Sequence, residues 1–170
     1  MILLSNEMLS SLNKQARNSV RRRKHLNIHS SHQDGCQRFL NAIQPNSYIR
    51  PHRHVAGGKR ELLVAIRGSF SLITFDDYGD FIESFYFGTE RYSGALCPNI
   101  GVEIPPSSWH TVLAHQDNCI LIEVKEGPFV PNEAKDFAAW APVEGSDLVD
   151  GFLEKCYKFS EYKNQIFHKR

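Results

Sequence analysis

From residue 36 to residue 127 the chain consists of short apolar runs separated by turn signals. The runs are rich in β-branched and aromatic residues, which favour strands over helices. A clear hairpin signal is FDDYGDF at 75–81, because Asp and Gly supply the turn backbone between two alternating runs. Short strands repeated at this spacing predict an all-β sandwich or barrel. The runs are QRFLNAI, NSYIRPHRH, ELLVAIRGSFSLITF, FIESFYF, GVEIPP, WHTVLAH and NCILIEVKEG.

The two ends of the chain lack this pattern and predict other elements. Residues 5–18 carry apolar side chains at helical spacing behind a residue suited to capping, which predicts a helix. Residues 20–35 are polar and basic without periodicity, and they predict an irregular segment. Near the other end, residues 132–142 favour a helical turn and residues 146–158 favour a short helix.

The length of 170 residues suits one domain, and the sequence shows no internal repeat and no boundary to a second domain. We therefore expect a single domain in three parts. Residues 1–35 form a helix and a basic segment packed on the barrel, residues 36–130 form the barrel, and residues 131–170 form a C-terminal extension. Hydrophobic residues make up 41% of the chain, enough for a real core.

Composition also predicts the compartment. No apolar run approaches the roughly 20 residues that a membrane span needs, and the N-terminus MILLSNEMLSSLNK lacks the features of a signal peptide. The four cysteines (Cys36, Cys97, Cys119 and Cys156) are far apart and form no CxxC motif, which argues against a zinc ribbon or a disulfide framework. We expect a cytoplasmic protein with reduced thiols and no membrane segment.

Charge is distributed unevenly along the chain. Residues 1–60 hold 11 Lys and Arg against two acids, whereas residues 61–170 hold nine against 17. Two interpretations are open: the two parts neutralise each other when folded, or some of the early arginines line a pocket for an anionic ligand. The basic run at 21–24 lacks interleaved aromatic residues and does not predict nucleic-acid binding.

Three histidines carry the candidate chemistry. His52 and His54 stand in PHRH, and residues two apart on a strand point to the same face. His110 stands in VEIPPSSWHTVLA and supplies a third imidazole from another strand. Three imidazoles bind a divalent ion and leave positions open for water or substrate. The pattern predicts a site for Zn, Fe, Ni, Mn or Co and does not choose among these metals.

These motifs resemble those of the cupin superfamily. The chain has His52-x-His54, then Glu61 and Gly68, and later a Gly-Pro-His order that ends at His110. Beyond these motifs, the sequence over residues 3–145 resembles the WbuC family of cupin-fold metalloproteins. The segments that carry this resemblance are QRFLNAIQPNSYIRPHRH, ELLVAIRGSFSLITFDDYGDF and WHTVLAHQDNCILIEVKEGPFVP. The resemblance implies a cupin double-stranded β-helix, a jelly-roll barrel, with the metal inside it. It also implies a sugar or nucleotide-sugar ligand, bacterial surface-polysaccharide biosynthesis and a homodimer.

Other residues are candidates for the same site. Glu61 follows His54 at a longer spacing than the cupin pattern has, so three roles are open: fourth ligand, partner that orients a histidine, or salt-bridge acid. Tyr48 and Arg50 share the parity of His52, and Gln37 can reach the interior in the same way, which makes all three candidates for the ligand pocket. Tyr48 and Glu61 are the candidates for a catalytic role.

Three classes of function compete on this sequence. The first is a metal-dependent enzyme, an isomerase, epimerase or oxygenase, that acts on a small polar and anionic substrate. The second is a non-catalytic ligand-binding, sensor or accessory cupin, which needs the same pocket without acid–base groups. The third is a metal-free structural barrel. The sequence names no separate acid–base pair, and a fold by itself does not specify a reaction.

Overall fold

The computed structural model describes residues 1–54, 59–89, 91–92, 95–130 and 135–167. These residues form two helices and twelve strands. In chain order they are α1 (Asn6–Asn18), β1 (Arg23–Asn27), β2 (Cys36–Ile43), β3 (His52–Arg53), β4 (Glu61–Arg67), β5 (Ser69–Phe75), β6 (Phe81–Gly88), β7 (Arg91–Tyr92), β8 (Ala95–Leu96), β9 (Gly101–Ile104), β10 (Trp109–Ala114), β11 (Cys119–Glu126), β12 (Asp136–Phe137) and α2 (Val149–Phe167).

The strands form two five-stranded sheets and a short ribbon. The first sheet has the order β1-β2-β11-β4-β9, the second has the order β12-β3-β10-β5-β6, and β7 pairs with β8. All the strand pairs described are antiparallel, and strands distant in sequence are neighbours in each sheet. This crossed connectivity is that of a jelly roll, so the predicted all-β barrel with terminal helices is confirmed.

Alternation along β2 and β11 separates the inside of the barrel from its outer face. Leu40 and Ala42 of β2 and Ile120 of β11 face outward, where Leu9 and Leu12 of α1 cover them. The predicted N-terminal helix is confirmed, and it is capped by Ser5, whose hydroxyl accepts the N–H of Met8 at 3.2 Å. The inward side chains at one end of the barrel form an apolar core: Ile43, Leu63, Ala65, Phe70, Leu72, Phe87, Ile104, Val112, Ala114, Cys119 and Leu121.

The C-terminal extension covers the outer face of the second sheet. Leu153 and Cys156 of α2 pack on Ile73, Phe75 and the neighbouring side chains of that face. A buried polar contact also ties α2 to the sheet, because the Ser160 hydroxyl lies 2.9 Å from that of Ser71. The second sheet is therefore enclosed between the barrel interior and the extension.

Two local predictions were wrong. Residues 20–35 are not irregular throughout, because β1 pairs along its whole length with β2. Its side chains are mostly exposed, so this edge strand is formed by backbone pairing and leaves no apolar alternation in the sequence. The segment 132–142 contains the strand β12, which pairs with β3, where a helical turn was expected; residues 132–134 lie outside the described part. Edge pairing to β3 decides the conformation there.

The C-terminal helix is longer than predicted. It runs from Val149 to Phe167, against an expected range of 146–158. Gly151 lies in the first turn, where a glycine interrupts few intrahelical hydrogen bonds and costs less than in the helix interior. In the described part of the chain, no helix combines the length and the apolar character that a membrane span requires.

Candidate metal centre

Three elements bring four polar side chains together at one end of the barrel interior. His52 of β3 is the direct partner of His110 of β10, which places the two imidazoles side by side. His54 follows two residues after His52, and Glu61 begins β4 in the facing sheet. All four residues are buried, and one donor atom from each lies within 4.8 Å of the others.

Backbone carbonyls set the protonation of two of the imidazoles. His52 Nδ1 lies 3.0 Å from the carbonyl oxygen of Arg50, and His110 Nδ1 lies 2.9 Å from that of Ser108. A carbonyl oxygen only accepts hydrogen bonds, so each Nδ1 carries the proton. When neutral, each ring therefore has its lone pair on Nε2, which is the usual arrangement of a metal-binding histidine held by a second partner.

Glu61 closes the cluster with a carboxylate. Its Oε2 lies 2.9 Å from His54 Nε2 and 3.4 Å from His110 Nε2. Burial opposes the ionisation of Glu61, but its contacts with His110 and His54 hold the pKa of the carboxyl well below its usual range. Burial lowers the pKa of His52 far below 6.5, so that ring is neutral at physiological pH.

The contact between His110 and Glu61 is the informative one. In the neutral tautomer that Ser108 selects, His110 Nε2 presents a lone pair to a carboxylate oxygen that also has only lone pairs. Two acceptors 3.4 Å apart in a buried site require a positive charge between them, either a proton that makes His110 an imidazolium or a metal ion. A divalent ion held by three imidazole nitrogens and one carboxylate oxygen meets this requirement, so the donor set fits a metal.

A second polar group lies beside the cluster on the inner face of the first sheet. Glu123 of β11 accepts the Asn41 amide at 2.8 Å through Oε2 and the Lys125 ammonium at 2.8 Å through Oε1. Glu61 also lies close enough to the Glu123 carboxyl to raise its pKa. Sequence reasoning missed Glu123 and Lys125. Alternation along NCILIEVKEG would have found them, because Cys119 and Leu121 precede them on the same face.

Charges around this second group are coupled. Burial and the neighbouring Glu61 raise the pKa of the Glu123 carboxyl. Burial alone would lower the pKa of Lys125, but the two carboxylates raise it above its ordinary value, so Lys125 is a cation. Lys135 is exposed as a residue, and its ammonium group interacts electrostatically with His52, Glu61 and Glu123. Lys125 therefore places a positive charge beside the cluster, and Lys135 adds one from an exposed position.

The side chains of two further pocket candidates, Tyr48 and Arg50, contact the C-terminal extension. Tyr48 packs against the outer face of the second sheet, where its hydroxyl donates to the carbonyl of Pro142 at 2.7 Å. Arg50 donates to the carbonyl of Ala138 at 2.8 Å and lies over the Phe137 ring. The even spacing of Tyr48 from His52 did not predict the direction of the Tyr48 side chain, because β3 begins only at His52. The structure does not bring Tyr48 into contact with the four-residue cluster.

Gln37 is buried at the start of β2, opposite Lys125. Its amide nitrogen donates to the carbonyls of Ser31, His32 and Asp34, at 3.4, 3.2 and 2.7 Å. The side chain therefore holds the loop before β2 against the barrel. This use of the amide is a structural role, and the proposed contact of Gln37 with a ligand stays a prediction.

The early arginines mostly pair with acids. Arg21 and Arg23 contact Glu144 at 2.8 Å, and similar contacts join Arg53 to Asp136 and Arg60 to Glu103. The basic first part of the chain and the acidic second part thus neutralise each other in the fold, in agreement with the first of the two interpretations of the charge pattern. Positive charge at the site comes from lysines of the second part.

Comparisons with known proteins agree with this fold. A family model described as "Domain of unknown function (DUF6016)" matches residues 4–87, and no curated protein matches the chain. Protein SO0799 from Shewanella oneidensis is similar in structure, with a TM-score of 0.50 and 10% identity over 66% of this chain and 72% of that one. At this identity the similarity concerns the fold alone.

Two further solved structures have lower scores. Oxalate decarboxylase from Bacillus subtilis has a TM-score of 0.48 and 14% identity over 68% of this chain and 27% of its own. An RmlC-like cupin from Desulfovibrio desulfuricans has a TM-score of 0.43 and 13% identity over 61% of this chain and 81% of its own.

Proposed function

We propose that this protein is a metal-binding cupin in which His52, His54, His110 and Glu61 hold one divalent ion. The observation that carries the proposal is the buried contact between His110 Nε2 and Glu61 Oε2 at 3.4 Å, where a neutral His110 places a lone pair against the carboxylate. The proposal is also supported by the closeness of the four donor atoms, which all lie within 4.8 Å of one another. Glu61 is then the fourth ligand, because its Oε2 faces the nitrogen atoms that would bind the ion.

The charge of the site supports an anionic ligand. Lys125 and Lys135 balance the carboxylates of Glu61 and Glu123, and the imidazoles are neutral as ligands. A bound divalent ion therefore leaves an excess of positive charge in a confined space. We propose a small polar anion of the sugar or nucleotide-sugar type as the ligand, bound by the ion and the two lysines.

A bound metal of this kind supplies a Lewis acid that polarises an oxygen atom of the ligand. This favours a metal-dependent isomerase, epimerase or oxygenase as the first candidate function. The second candidate is a non-catalytic binding or sensor module, and the position of Tyr48 favours it, since that hydroxyl is engaged by Pro142 away from the cluster. Turnover of sugar nucleotides by metal-loaded protein separates the two, with His52→Ala as the control.

We extend the proposal to the WbuC family and to bacterial surface-polysaccharide biosynthesis, on the strength of the resemblance over residues 3–145. A cytoplasmic location is part of it and is supported by the buried, reduced thiol of Cys156. A homodimer is also part of it. An elution volume that matches a single chain of 19.4 kDa would contradict the dimer.

Metal analysis of purified, untagged protein tests the proposal. We expect about one equivalent of a divalent transition metal per chain, retained through gel filtration. His110→Ala removes a donor and should lose most of it, whereas His32→Ala, at an exposed position, should keep it. A metal-free wild-type protein that stays metal-free after incubation with Zn, Fe, Ni, Mn and Co would refute the proposal, and so would full occupancy in His110→Ala.

A further inference from the structure

The inward face of β11 changes character along the strand. Cys119 and Leu121 lie in the apolar core, whereas Glu123 and Lys125, the next two inward residues, are charged. Asn41 of β2 joins them from the neighbouring strand. The barrel interior is therefore apolar at one end and polar beside the proposed metal ligands.

The stability of the fold does not account for this polar end. Removing two charges from water costs about as much free energy as their attraction returns, so a buried ion pair is seldom more stable than apolar side chains of the same size. The other end of the same barrel shows that apolar side chains fill such an interior. The pair of Glu123 and Lys125, with side chains 16% and 10% exposed, calls for a functional explanation.

The hydrogen bonds of Glu123 leave room for another donor. Each of its oxygens accepts one N–H, from Asn41 or from Lys125, and a carboxylate oxygen has a second lone pair. An ammonium group has three N–H donors, and Lys125 uses one of them on Glu123 among the described residues. The site thus combines a cation that attracts an anion with a carboxylate that repels it.

A ligand with hydroxyl groups resolves this conflict. A plain carboxylate or phosphate carries only acceptors and faces repulsion from Glu123, whereas a hydroxyl donates to Glu123. We infer that Glu123, positioned by Asn41 and Lys125, makes the site selective for anions that carry hydroxyl groups next to the anionic group, such as hydroxy acids. This inference rests on the proposed function, because it places the ligand beside the proposed metal.

Calorimetric titration with two matched anions tests the inference. Succinate and tartrate share the same carbon chain and the same two carboxylates, and they differ by two hydroxyl groups. We expect metal-loaded wild-type protein to bind tartrate at least tenfold more tightly, the factor set by a hydrogen bond to a charged group. Glu123→Gln should bind succinate more tightly than wild type does and should lower the preference for tartrate by about tenfold.

Glu126→Gln is the matched control, because it removes the same charge from an exposed position on the same strand and should leave the preference unchanged. Tartrate also chelates metals through its hydroxyls, so the change in preference is the decisive quantity. An unchanged preference in Glu123→Gln would overturn the inference, as would equal binding of the two anions, or binding of neither, in wild type. If Glu123→Gln does not fold, Asn41→Ala replaces it in the test. Loss of the Asn41 amide lets the Glu123 carboxylate turn away from the site, so this variant should also lower the preference for tartrate.

Metal content, measured on the same samples, separates this inference from the proposed function. Wild-type protein with one equivalent of metal and no preference for tartrate overturns only the selectivity assigned to Glu123. Wild-type protein that binds no metal overturns the proposed function itself.

Discussion

The buried imidazole of His115 should make the stability of this protein fall at mildly acidic pH. His115 follows β10 and lies between the barrel and α2, stacked on the ring of Tyr86 with centroids 5.1 Å apart. Its Nε2 is 2.6 Å from the hydroxyl of Ser71, which is bonded in turn to Ser160 of α2. Burial lowers the pKa of His115 to about 3. The ring therefore stays neutral in the folded protein.

The sign and size of the effect follow from this value. In the unfolded chain His115 takes up a proton near pH 6.5, whereas in the folded protein it does so only near pH 3. The stability that the neutral ring contributes is complete at pH 8 and is lost as the pH falls through 6.5 toward 3. Between pH 8 and pH 5 this one group should cost about 2 kcal/mol of the free energy of unfolding.

Urea unfolding of metal-free wild type and His115→Phe at pH 8 and pH 5 measures this cost. Phe keeps the stacking on Tyr86 and cannot titrate, so we expect the variant to lose about 2 kcal/mol less than wild type on acidification. The other titrating groups cancel in the difference. Ser160→Ala is the control: it breaks the hydroxyl contacts but keeps the imidazole, and should retain the wild-type pH dependence. Equal losses in wild type and His115→Phe would refute the reasoning.

Two further outcomes are expected. Lys125→Met should keep the metal but weaken the binding of both succinate and tartrate by tenfold or more, because it removes a buried cation. Lys155→Met, at an exposed position, is the control and should leave both affinities unchanged. Unaltered calorimetric affinities in Lys125→Met would contradict the role of Lys125. Gly68→Ala should lower the free energy of unfolding by about 3 kcal/mol, since φ is +82° and the new Cβ would lie 2.4 Å from Cys119 Sγ. Gly145 also has a positive φ, but a Cβ added there would have no atom within 4 Å, so Gly145→Ala should lower the free energy of unfolding by only about 1 kcal/mol. Urea unfolding measures both variants, and equal losses of stability would contradict the packing argument.

The strands and the histidines were predictable because both depend on alternation within single strands. His52 and His54 both reach the cluster because the alternation continues one residue past β3, which ends at Arg53. The apolar runs of β5, β10 and β11 are where the sequence places them. The same rule failed for Tyr48, since residues before His52 are not in a strand and the parity of their side chains is not maintained. Local periodicity is informative only inside a regular element.

The rest depends on contacts between distant segments. The strand β1 owes its existence to pairing with β2, and β12 to pairing with β3, and neither carries a pattern of its own. The partners of Glu61 are also tertiary, because its spacing from His54 left three roles open until both imidazoles were seen to face its carboxylate. Glu123 and Lys125 were within reach of the sequence, but a charged pair near a strand end resembles an ordinary solvated face.

Anomalous diffraction from crystals of untagged protein, measured on both sides of the absorption edge of the metal found by elemental analysis, tests the central claim most directly. We expect one strong peak at about 2.0–2.2 Å from the Nε2 atoms of His52, His54 and His110 and from a carboxylate oxygen of Glu61. Direct hydrogen bonds among the four side chains, with no peak between them in metal-supplemented crystals, would contradict the account.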